Sequence, residues 1–432
     1  MSALPITVIG VTEAGEPALG SEARRALTAA DVVFGGERHL RLLDALIGST
    51  ERVPWSQPLS DSFDVLDARR DVSVVVLASG DPHWHGIANT LVQRWGADSV
   101  RVLPAVGVFS LAASALGWPL EQVHCRSLHG HDLSLLSVWC FPGARLLLLT
   151  DGVAGPRRIA DTLCALGWER ARCRVLSQLG GAQADSGEWS ALDDVMAQSA
   201  ELNVVAIDIP SDHACTVCGT GPGLPDDAFE HDGQLTKRSM RAVTLARLRP
   251  MPQQCLWDVG AGCGSVAIEW VRAALGASAG TPPRGTVLAH AIERDAARVG
   301  LIERNCVALG TPQVRIHNGD IRDTLRALPA PHAVFIGGGL SQPTAEGDNG
   351  SHASIESGLD LIMFCREQLL PGGRLVANAV TLETEAVLMA AHARFGGELE
   401  RVSISASQPV GRFSALQPSM PVLQYTWEPA IS

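Results

Sequence analysis

Lysine is almost absent from this chain: Lys237 is the only one, so arginine supplies nearly all of the 34 basic side chains. Long apolar runs are also missing, because no stretch reaches the roughly 18 residues that a membrane helix needs. The first ten residues carry no basic segment and are typical of a strand, not of a signal peptide. With 46% hydrophobic and 19% charged residues, we expect a soluble globular protein in the cytoplasm.

Acidic residues outnumber basic ones: 46 acidic against 34 basic side chains give a net charge of −12. A nucleic-acid partner requires clustered cations to neutralise phosphates, so we expect none. Arginine in place of lysine suits bidentate recognition of carboxylates. A compositional bias of the genome is the alternative explanation for the excess of arginine over lysine.

The ten cysteines are scattered, mostly inside apolar segments, and we expect them to be reduced core residues. Cys215 and Cys218 form a Cys-x-x-Cys pair that could be half of a zinc site. A structural zinc site needs a second pair at suitable spacing, and none follows. We therefore expect a plain linker there and no metal.

A chain of 432 residues is long enough for about two or three domains. Proline, glycine and small polar residues dominate Ile209–Pro225, as in an interdomain linker. We predict an α/β domain over residues 1–208, a linker over 209–223 and a second domain over 224–432. The strands predicted in the first half are Ile6–Ile9, Val32–Phe34, Val74–Ala78, Leu146–Thr150, Val175–Leu176 and Val204–Ile207. The helices predicted there are Ala23–Ala30, Ile87–Trp95, Phe109–Leu116 and Arg157–Leu166.

The second half has the alternating order of a seven-stranded, doubly wound Rossmann-like sheet, which binds ligands at the carboxyl ends of its strands. Its predicted strands are Leu256–Val259, Val287–Ile292, Val314–Asp320, Ala333–Ile336 and Arg374–Val380, with others near Val402–Ala406 and Val422–Thr426. Its predicted helices include Lys237–Leu248, Ala296–Leu309 and Leu359–Leu370. Ser341–Gly358 is rich in Ser, Gly and Asp, which predicts a long loop, either a lid or an insertion. It would lie at the carboxyl ends of the strands, where ligands bind; this side of the sheet is called the ligand edge below.

The run Leu256–Glu269 is the most informative in the chain. A short apolar strand leads into Gly260, Gly262 and Gly264, and a helical pattern follows. Glycines at such a turn bring backbone N–H groups against a ligand, because no Cβ blocks the approach. The pattern is Gly-x-Gly-x-Gly, not the Gly-x-Gly-x-x-Gly of a dinucleotide pyrophosphate site. It favours a nucleoside such as S-adenosylmethionine (SAM), and hence a methyltransferase.

Two acids follow the next two predicted strands. Glu293 is suited to accept hydrogen bonds from both ribose hydroxyls. Asp320 stands where an adenine amino group could be recognised. Either acid alone could be a surface or helix-cap residue; three strand-end features in the right order favour the nucleoside.

The second half resembles the decarboxylating methyltransferases of corrin (vitamin B12) biosynthesis. The lead segment, Gly223–Arg238, matches the segment that opens this family's domain and is not shared by methyltransferases at large. The further matching blocks are Leu256–Gly262, Asn318–Asp320, Phe335–Gly339, Pro371–Leu375 and Leu382–Thr384.

The first half resembles the tetrapyrrole methylases, in particular those that methylate carbon 5 of the same ring. The matching blocks are Val33–Leu40, Ala78–Pro82, Pro104–Val106, Ser127–Gly130 and Leu149–Asp151. The departures are a glycine-poor Gly10–Gly15 loop, His83 and His85 around Trp84, His131 in place of Arg, and Gly107-Val108 in place of Ser-Ser. Together the halves resemble the fused precorrin-6Y C(5,15)-methyltransferases (decarboxylating).

This resemblance implies two SAM sites. In the second half, the implied contacts are Thr236, Gly260, Ala261, Gly262, Cys263, Gly264, Glu293, Asp320 and Ile321. In the first half, they are Ser79, Gly80, Asp81, Trp84, Gly107 and Val108. A turn-capping role before Pro82 is the alternative for Asp81.

The substrate implied by the resemblance is a precorrin macrocycle, which carries many carboxylates. We predict that Arg238, Arg241 and Arg374 offset this charge, the alternative being solvated or salt-bridged surface arginines. The three consecutive glycines Gly337, Gly338 and Gly339 would let the backbone approach a flat ring closely, because they carry no Cβ. A plain turn is the alternative. Methylation of an electron-rich ring carbon needs alignment more than side-chain chemistry, and the sequence indicates no catalytic triad.

The resemblance implies methylation of carbons 5 and 15 with decarboxylation of the ring acetate, by a homo-oligomer. One alternative leaves only the second half catalytic, with the first half a tetrapyrrole-binding module. Another makes the second half an RNA methyltransferase, which the charge disfavours. The sequence leaves open whether the substrate carries cobalt and which methylation comes first, although a fusion favours the metal-free route.

Overall fold

The computed structural model describes residues 4–196, 200–214, 219–340 and 352–429. The chain divides into two compact units. Unit 1 comprises Met1–His131 and Pro142–His213, and unit 2 comprises Asp132–Phe141 and Ala214–Ser432. The Cys215/Cys218 pair lies outside the described residues.

Unit 1 contains two five-stranded sheets. Its strands are β1 (Ile6–Val11), β2 (Val32–Gly35), β3 (Glu51–Pro54), β4 (Val74–Ser79), β5 (Val100–Leu103), β6 (His124–Ser127), β7 (Arg145–Leu149), β8 (Arg172–Ser177), β9 (Ser190–Ala191) and β10 (Asn203–Asp208). Its helices are α1 (Ser21–Thr28), α2 (Glu37–Leu42), α3 (Asp44–Ile47), α4 (Leu59–Asp67), α5 (Ile87–Trp95), α6 (Val108–Leu116) and α8 (Gly155–Ala165), while α7 (Leu136–Trp139) belongs to unit 2.

The first sheet of unit 1 is parallel throughout, in the order β3-β2-β4-β1-β5. Alternate residues of each strand enter two separate cores, since Ile6 and Val8 pack on one face and Ile9 and Val11 on the other. Helices cover both faces, which is why the inner strands β1, β2 and β4 are nearly continuous apolar runs. The second sheet, β6-β7-β10-β8-β9, is mostly antiparallel.

Unit 2 is built on one seven-stranded sheet in the order β13-β12-β11-β14-β15-β19-β16. The strands of this sheet are β11 (Leu256–Val259), β12 (Ala289–Glu293), β13 (Val314–Asn318), β14 (Ala333–Ile336), β15 (Arg374–Ala379), β16 (Glu398–Val402) and β19 (Val422–Trp427). A separate two-stranded sheet consists of β17 (Ser405–Val410) and β18 (Phe413–Pro418). The other helices of unit 2 are α9 (Arg238–Leu248), α10 (Ser265–Gly276), α11 (Ala296–Ala308), α12 (Ile321–Arg326), α13 (His352–Gln368) and α14 (Leu382–Phe395).

Six strands of this sheet point in the same direction, and β19, between β15 and β16, is antiparallel to both its neighbours. β11 lies between β12 and β14, so the chain order reverses at its carboxyl end. Ligands bind at such a switch point in doubly wound folds. The predicted α/β class with a Rossmann-like second half is confirmed.

Helix α13 corrects one prediction. It begins at His352, so the predicted loop Ser341–Gly358 is wrong over its last seven positions, and residues 341–351 lie outside the described residues. The prediction failed because Ser and Gly in this stretch suggested a loop, whereas they occupy the first two turns of a long helix. Within the ranges given above, no helix is long and apolar enough to cross a membrane.

Candidate functional sites

The glycine loop of unit 2 follows β11 and has left-handed backbone at three positions: φ is 71° at Gly260, 60° at Gly262 and 81° at Gly264. A Cβ at Gly264 would lie 2.9 Å from Ile302 Cγ2. Bare N–H groups are expected in this loop from the sequence. The structure instead engages four of them, because Gly260 N and Ala261 N donate to Ile292 O, Gly262 N donates to Glu293, and Gly264 N donates to Ala261 O. The glycines therefore matter chiefly for the room that a missing Cβ leaves.

A second glycine loop, Gly337–Gly339, meets the first at the carboxyl ends of β11 and β14. Gly337 N and Gly338 N donate to Val259 O at 3.0 and 3.3 Å. A Cβ at Gly260 would lie 2.8 Å from Gly338 Cα. The two loops thus pack backbone against backbone and together form part of the ligand edge of unit 2.

Glu293 ends β12 beside these loops and is 7% exposed. Its Oε2 accepts from Gly262 N at 2.9 Å and its Oε1 accepts from Asp295 N at 3.0 Å. Each carboxylate oxygen has a second lone pair, so contact with a ribose stays compatible with this geometry. The prediction of that contact remains a prediction.

Asp258, inside β11 and two residues before Gly260, is a buried acid that the sequence predictions did not include. It is 1% exposed; Oδ2 accepts from Ala267 N at 2.9 Å, and Oδ1 has no partner among the described atoms. Burial raises the pKa of Asp258 to about 7, and the neighbouring Glu293 charge adds to the rise. The signal was an acid within an otherwise apolar strand.

Asp320 is the N-cap of α12, where its Oδ1 accepts from Arg322 N at 2.8 Å and from Asp323 N at 3.3 Å. The cap role is therefore present, and contact with adenine stays a prediction. Ile321 is 7% exposed and packs in the main core of unit 2, where it also limits the space at Gly339.

Two of the three arginines predicted to bind substrate are buried. Arg241 is 0% exposed, and its Nε donates to Glu269 Oε1 at 2.6 Å. Arg374, 2% exposed, donates to the carbonyls of Leu248 and Arg249. It is the first residue of β15 and so lies at the amino ends of the parallel strands, opposite the glycine loops. The fold uses both guanidinium groups internally, and direct substrate contact by Arg241 and Arg374 stays a prediction.

Arg238 differs from those two arginines. It is exposed at the first turn of α9, and its backbone N donates to Asp226 Oδ1 at 2.8 Å. Its predicted role in substrate binding is compatible with this exposure and stays a prediction.

In unit 1, three loops meet at the carboxyl ends of β1, β4 and β5. Gly80 N donates to Val11 O at 2.9 Å, and Ala105 N donates to Gly80 O at 3.1 Å. A Cβ at Gly10 would lie 2.5 Å from Ala105 N, and one at Gly80 3.2 Å from Gly107 Cα. The Gly80 and Gly107 positions predicted from the resemblance are therefore adjacent.

The other residues predicted in unit 1 lie around this junction. Asp81 Oδ1 accepts from His83 N at 2.9 Å, so the turn-capping role is present. Trp84 is 52% exposed and packs edge-on against Phe109. Val108 begins α6 and is half-buried.

Ser79 lies in a polar cluster that the sequence analysis missed. Arg38 donates to Ser79 Oγ at 2.9 Å and pairs with Glu13, and His39 Nε2 lies 3.0 Å from the same hydroxyl. Burial, together with the Arg38 charge, lowers the pKa of His39 to about 4, so this imidazole is neutral at pH 7. No local pattern could have joined residues so far apart in the chain.

Comparison with known proteins first defines the class. Residues 5–186 match the tetrapyrrole (corrin/porphyrin) methylases, and residues 227–429 match the precorrin methyltransferase domain. Both halves are therefore related to methyltransferases of tetrapyrroles.

Full-length relatives then define the family. The chain is 41% identical to precorrin-6Y C(5,15)-methyltransferase [decarboxylating] from Sinorhizobium sp, over 98% of this chain and 96% of that protein. It is 34% identical to the protein of the same name from Mycobacterium tuberculosis (strain ATCC 25618 / H37Rv), over 98% and 99%. The chain belongs to the precorrin-6Y C(5,15)-methyltransferase (decarboxylating) family, as the sequence motifs predicted.

One solved structure among the similar ones is the C-terminal domain of precorrin-6Y C5,15-methyltransferase from Rhodobacter capsulatus. It is 40% identical and covers 49% of this chain and 100% of that chain, with a TM-score of 0.40.

Proposed function

We propose that this chain methylates carbons 5 and 15 of a precorrin macrocycle with SAM and removes carbon dioxide from the ring acetate. The first domain, predicted over 1–208, would methylate carbon 5, and the second, over 224–432, carbon 15 with decarboxylation. One observation carries this proposal: each unit has a sheet with adjacent parallel strands that end in closely packed glycine loops. Family membership over nearly the whole length supports it.

In the proposal, SAM lies at the carboxyl ends of the strands of unit 2, its ligand edge. A Cβ at Gly262 would meet only Gln234 O, at 3.3 Å. A Cβ at Gly262 would therefore be crowded by the lead segment, and Glu293, which accepts from Gly262 N, lies beside it for the ribose. In the proposal Gly260–Gly264 hold the methionine end, and Thr236, Asp320 and Ile321 complete the site.

SAM supplies an electrophilic methyl group on a sulfonium. The chain's residues then have to align the ring carbon with that methyl and exclude water. Decarboxylation needs an electron sink, which a conjugated macrocycle provides. Arg238 and the Gly337–Gly339 loop are the proposed contacts for the ring and its carboxylates, since both lie at this edge and Arg238 is exposed.

The proposal includes a homo-oligomer. Strands β17 and β18 form a separate two-stranded sheet in which every residue is exposed. Val410, Phe413 and Leu416 are 57%, 68% and 73% exposed. A lone hairpin is marginally stable in water, and an exposed apolar patch marks an interaction site. A second copy of the chain is the proposed cover. A cytoplasmic location stays a prediction.

The test is calorimetric titration of S-adenosylhomocysteine into the whole chain. We expect two sites in the wild type and one each in Gly10→Val and Gly260→Val, since each Cβ would strike a neighbouring loop. Product masses should then show loss of one methylation per variant. A single site in the wild type that only Gly260→Val abolishes would leave unit 1 as a tetrapyrrole-binding module.

A further inference from the structure

The lead segment of unit 2 has little regular structure, with one short 3₁₀ turn at Asp226–Ala228. It nevertheless reaches the glycine loop, because Gln234 O is 3.3 Å from the position of a Cβ on Gly262. A segment without helix or strand is either mobile or held by contacts other than the hydrogen bonds of regular secondary structure. Here the hydrogen bonds of three buried side chains hold it.

Glu269 and Arg241 fix both ends of the lead segment. The two oxygens of Glu269 accept from Gly223 N at 2.7 Å and from Leu224 N at 3.0 Å. The Nη groups of Arg241 donate to Leu224 O at 2.5 Å and to Thr236 O at 2.6 Å. Glu269 is 1% exposed.

Asn305 fixes the middle of the lead segment. Its Oδ1 accepts from Glu230 N at 2.8 Å, and its Nδ2 donates to Glu230 O at 2.9 Å. The same Nδ2 donates to Cys263 O, in the glycine loop, at 3.0 Å. One amide group, 2% exposed, therefore joins the lead segment to the loop.

Burying an ion pair is a poor way to stabilise a fold, because the desolvation penalty offsets much of the attraction. Buried polar groups that are fully hydrogen-bonded do fix one conformation. Here they satisfy backbone groups that no helix or strand satisfies, and all three side chains converge on one segment. Their arrangement therefore suits a wall that is formed before a ligand arrives.

We propose that Arg241, Glu269 and Asn305 are positioning residues that hold the lead segment as a fixed wall of the cofactor site in unit 2. The proposal rests on the proposed function, which places SAM at the glycine loop. The three residues touch neither cofactor nor substrate. They set the affinity for SAM by keeping Thr236 and Gln234 in place beside Gly262, so that binding does not have to order this segment.

The test measures binding of S-adenosylhomocysteine by calorimetry to the whole chain in a Gly10→Val background, which leaves the unit 2 site. Asn305→Ala leaves backbone groups of Glu230 and Cys263 unpaired, and we expect the Kd to rise about ten-fold. Arg304→Ala is the matched control. It is the preceding residue of α11 and removes only the exposed ion pair with Glu230, so the Kd should stay within about two-fold.

Circular dichroism confirms that each variant is folded at the titration temperature. Where Asn305→Ala does not fold, Arg241→Lys replaces it, since lysine keeps the charge beside Glu269 but loses the fork that reaches Leu224 and Thr236. A folded variant that binds as tightly as its background would overturn the positioning role. If the Gly10→Val background binds nothing, or if adding Gly260→Val leaves binding unchanged, the proposed function fails instead.

Discussion

Two buried carboxylates at the ligand edge of unit 2 differ in how their oxygens are satisfied. Glu293 receives a backbone N–H on each oxygen. Asp258 receives one on Oδ2 and, among the described atoms, none on Oδ1. Burying a charge without partners favours its neutral form, so the pKa of Asp258 rises to about 7.

This difference predicts how stability depends on pH. The folded pKa of Asp258 is about 7, above the unfolded value of about 3.9. Between these values the folded state binds more protons, so this group lowers the free energy of unfolding as pH rises from about 4 to about 7, and adds nothing further above that. We expect no such fall in Asp258→Asn. Its free energy of unfolding should rise relative to that of the wild type by up to about 4 kcal/mol between about pH 4 and about pH 7.

Thermal unfolding of both proteins at several pH values checks this expectation. The two curves should converge toward acid and separate toward neutral pH. Parallel curves would show that Asp258 is ionised in the folded protein throughout the range.

Local backbone was predicted well where chain order defines it, and burial was predicted poorly where tertiary contacts decide it. Gly260, Gly262 and Gly264 have the left-handed backbone that glycine favours, as expected of a strand–turn–helix run. Arg241 and Arg374 were expected to bind substrate and are buried, because the groups they bind come from other elements. No local signal distinguishes them from exposed Arg238.

At the scale of elements, burial decided which predictions succeeded. β11 and α5 have the predicted bounds, since each is a clear apolar pattern next to glycine. β3 was missed because it is a mostly exposed edge strand. The exposed strand β18 was missed in the same way, whereas the strand predicted near Val402–Ala406 overlaps the end of β16 and the start of β17. Helix α14 was also missed, although Val387, Leu388 and Ala391 show its buried face at helical spacing.

The start of α14 offers a test at this scale. Thr381 Oγ1 accepts from Thr384 N at 3.4 Å, and the Thr384 hydroxyl returns a bond to the Thr381 backbone. We expect Thr381→Ala to lower the free energy of unfolding by about 1 kcal/mol, because it removes a helix cap. Urea denaturation measures the loss. Thr381→Ser keeps the hydroxyl and should restore stability; equal losses in both would mean that the cap contributes nothing.

At the scale of the whole molecule, the proposed association depends on the β17–β18 hairpin. We expect the wild type to scatter light as a multiple of 45.6 kDa. Val410→Asp combined with Phe413→Asp should reduce it to a monomer, because charge opposes burial of this surface. Met251→Asp alters another exposed apolar residue of unit 2, 47% exposed, and should leave the mass unchanged. A monomeric wild type would contradict the proposal.

The single lysine gives this protein a built-in site for chemical labelling. Lys237 ends the loop before α9, and its side chain is 64% exposed. With the α-amino group blocked, an amine-reactive fluorophore would attach at this one side chain, without any engineered cysteine. Because Lys237 neighbours Thr236, the dye would report on the proposed cofactor site of unit 2 and not on that of unit 1.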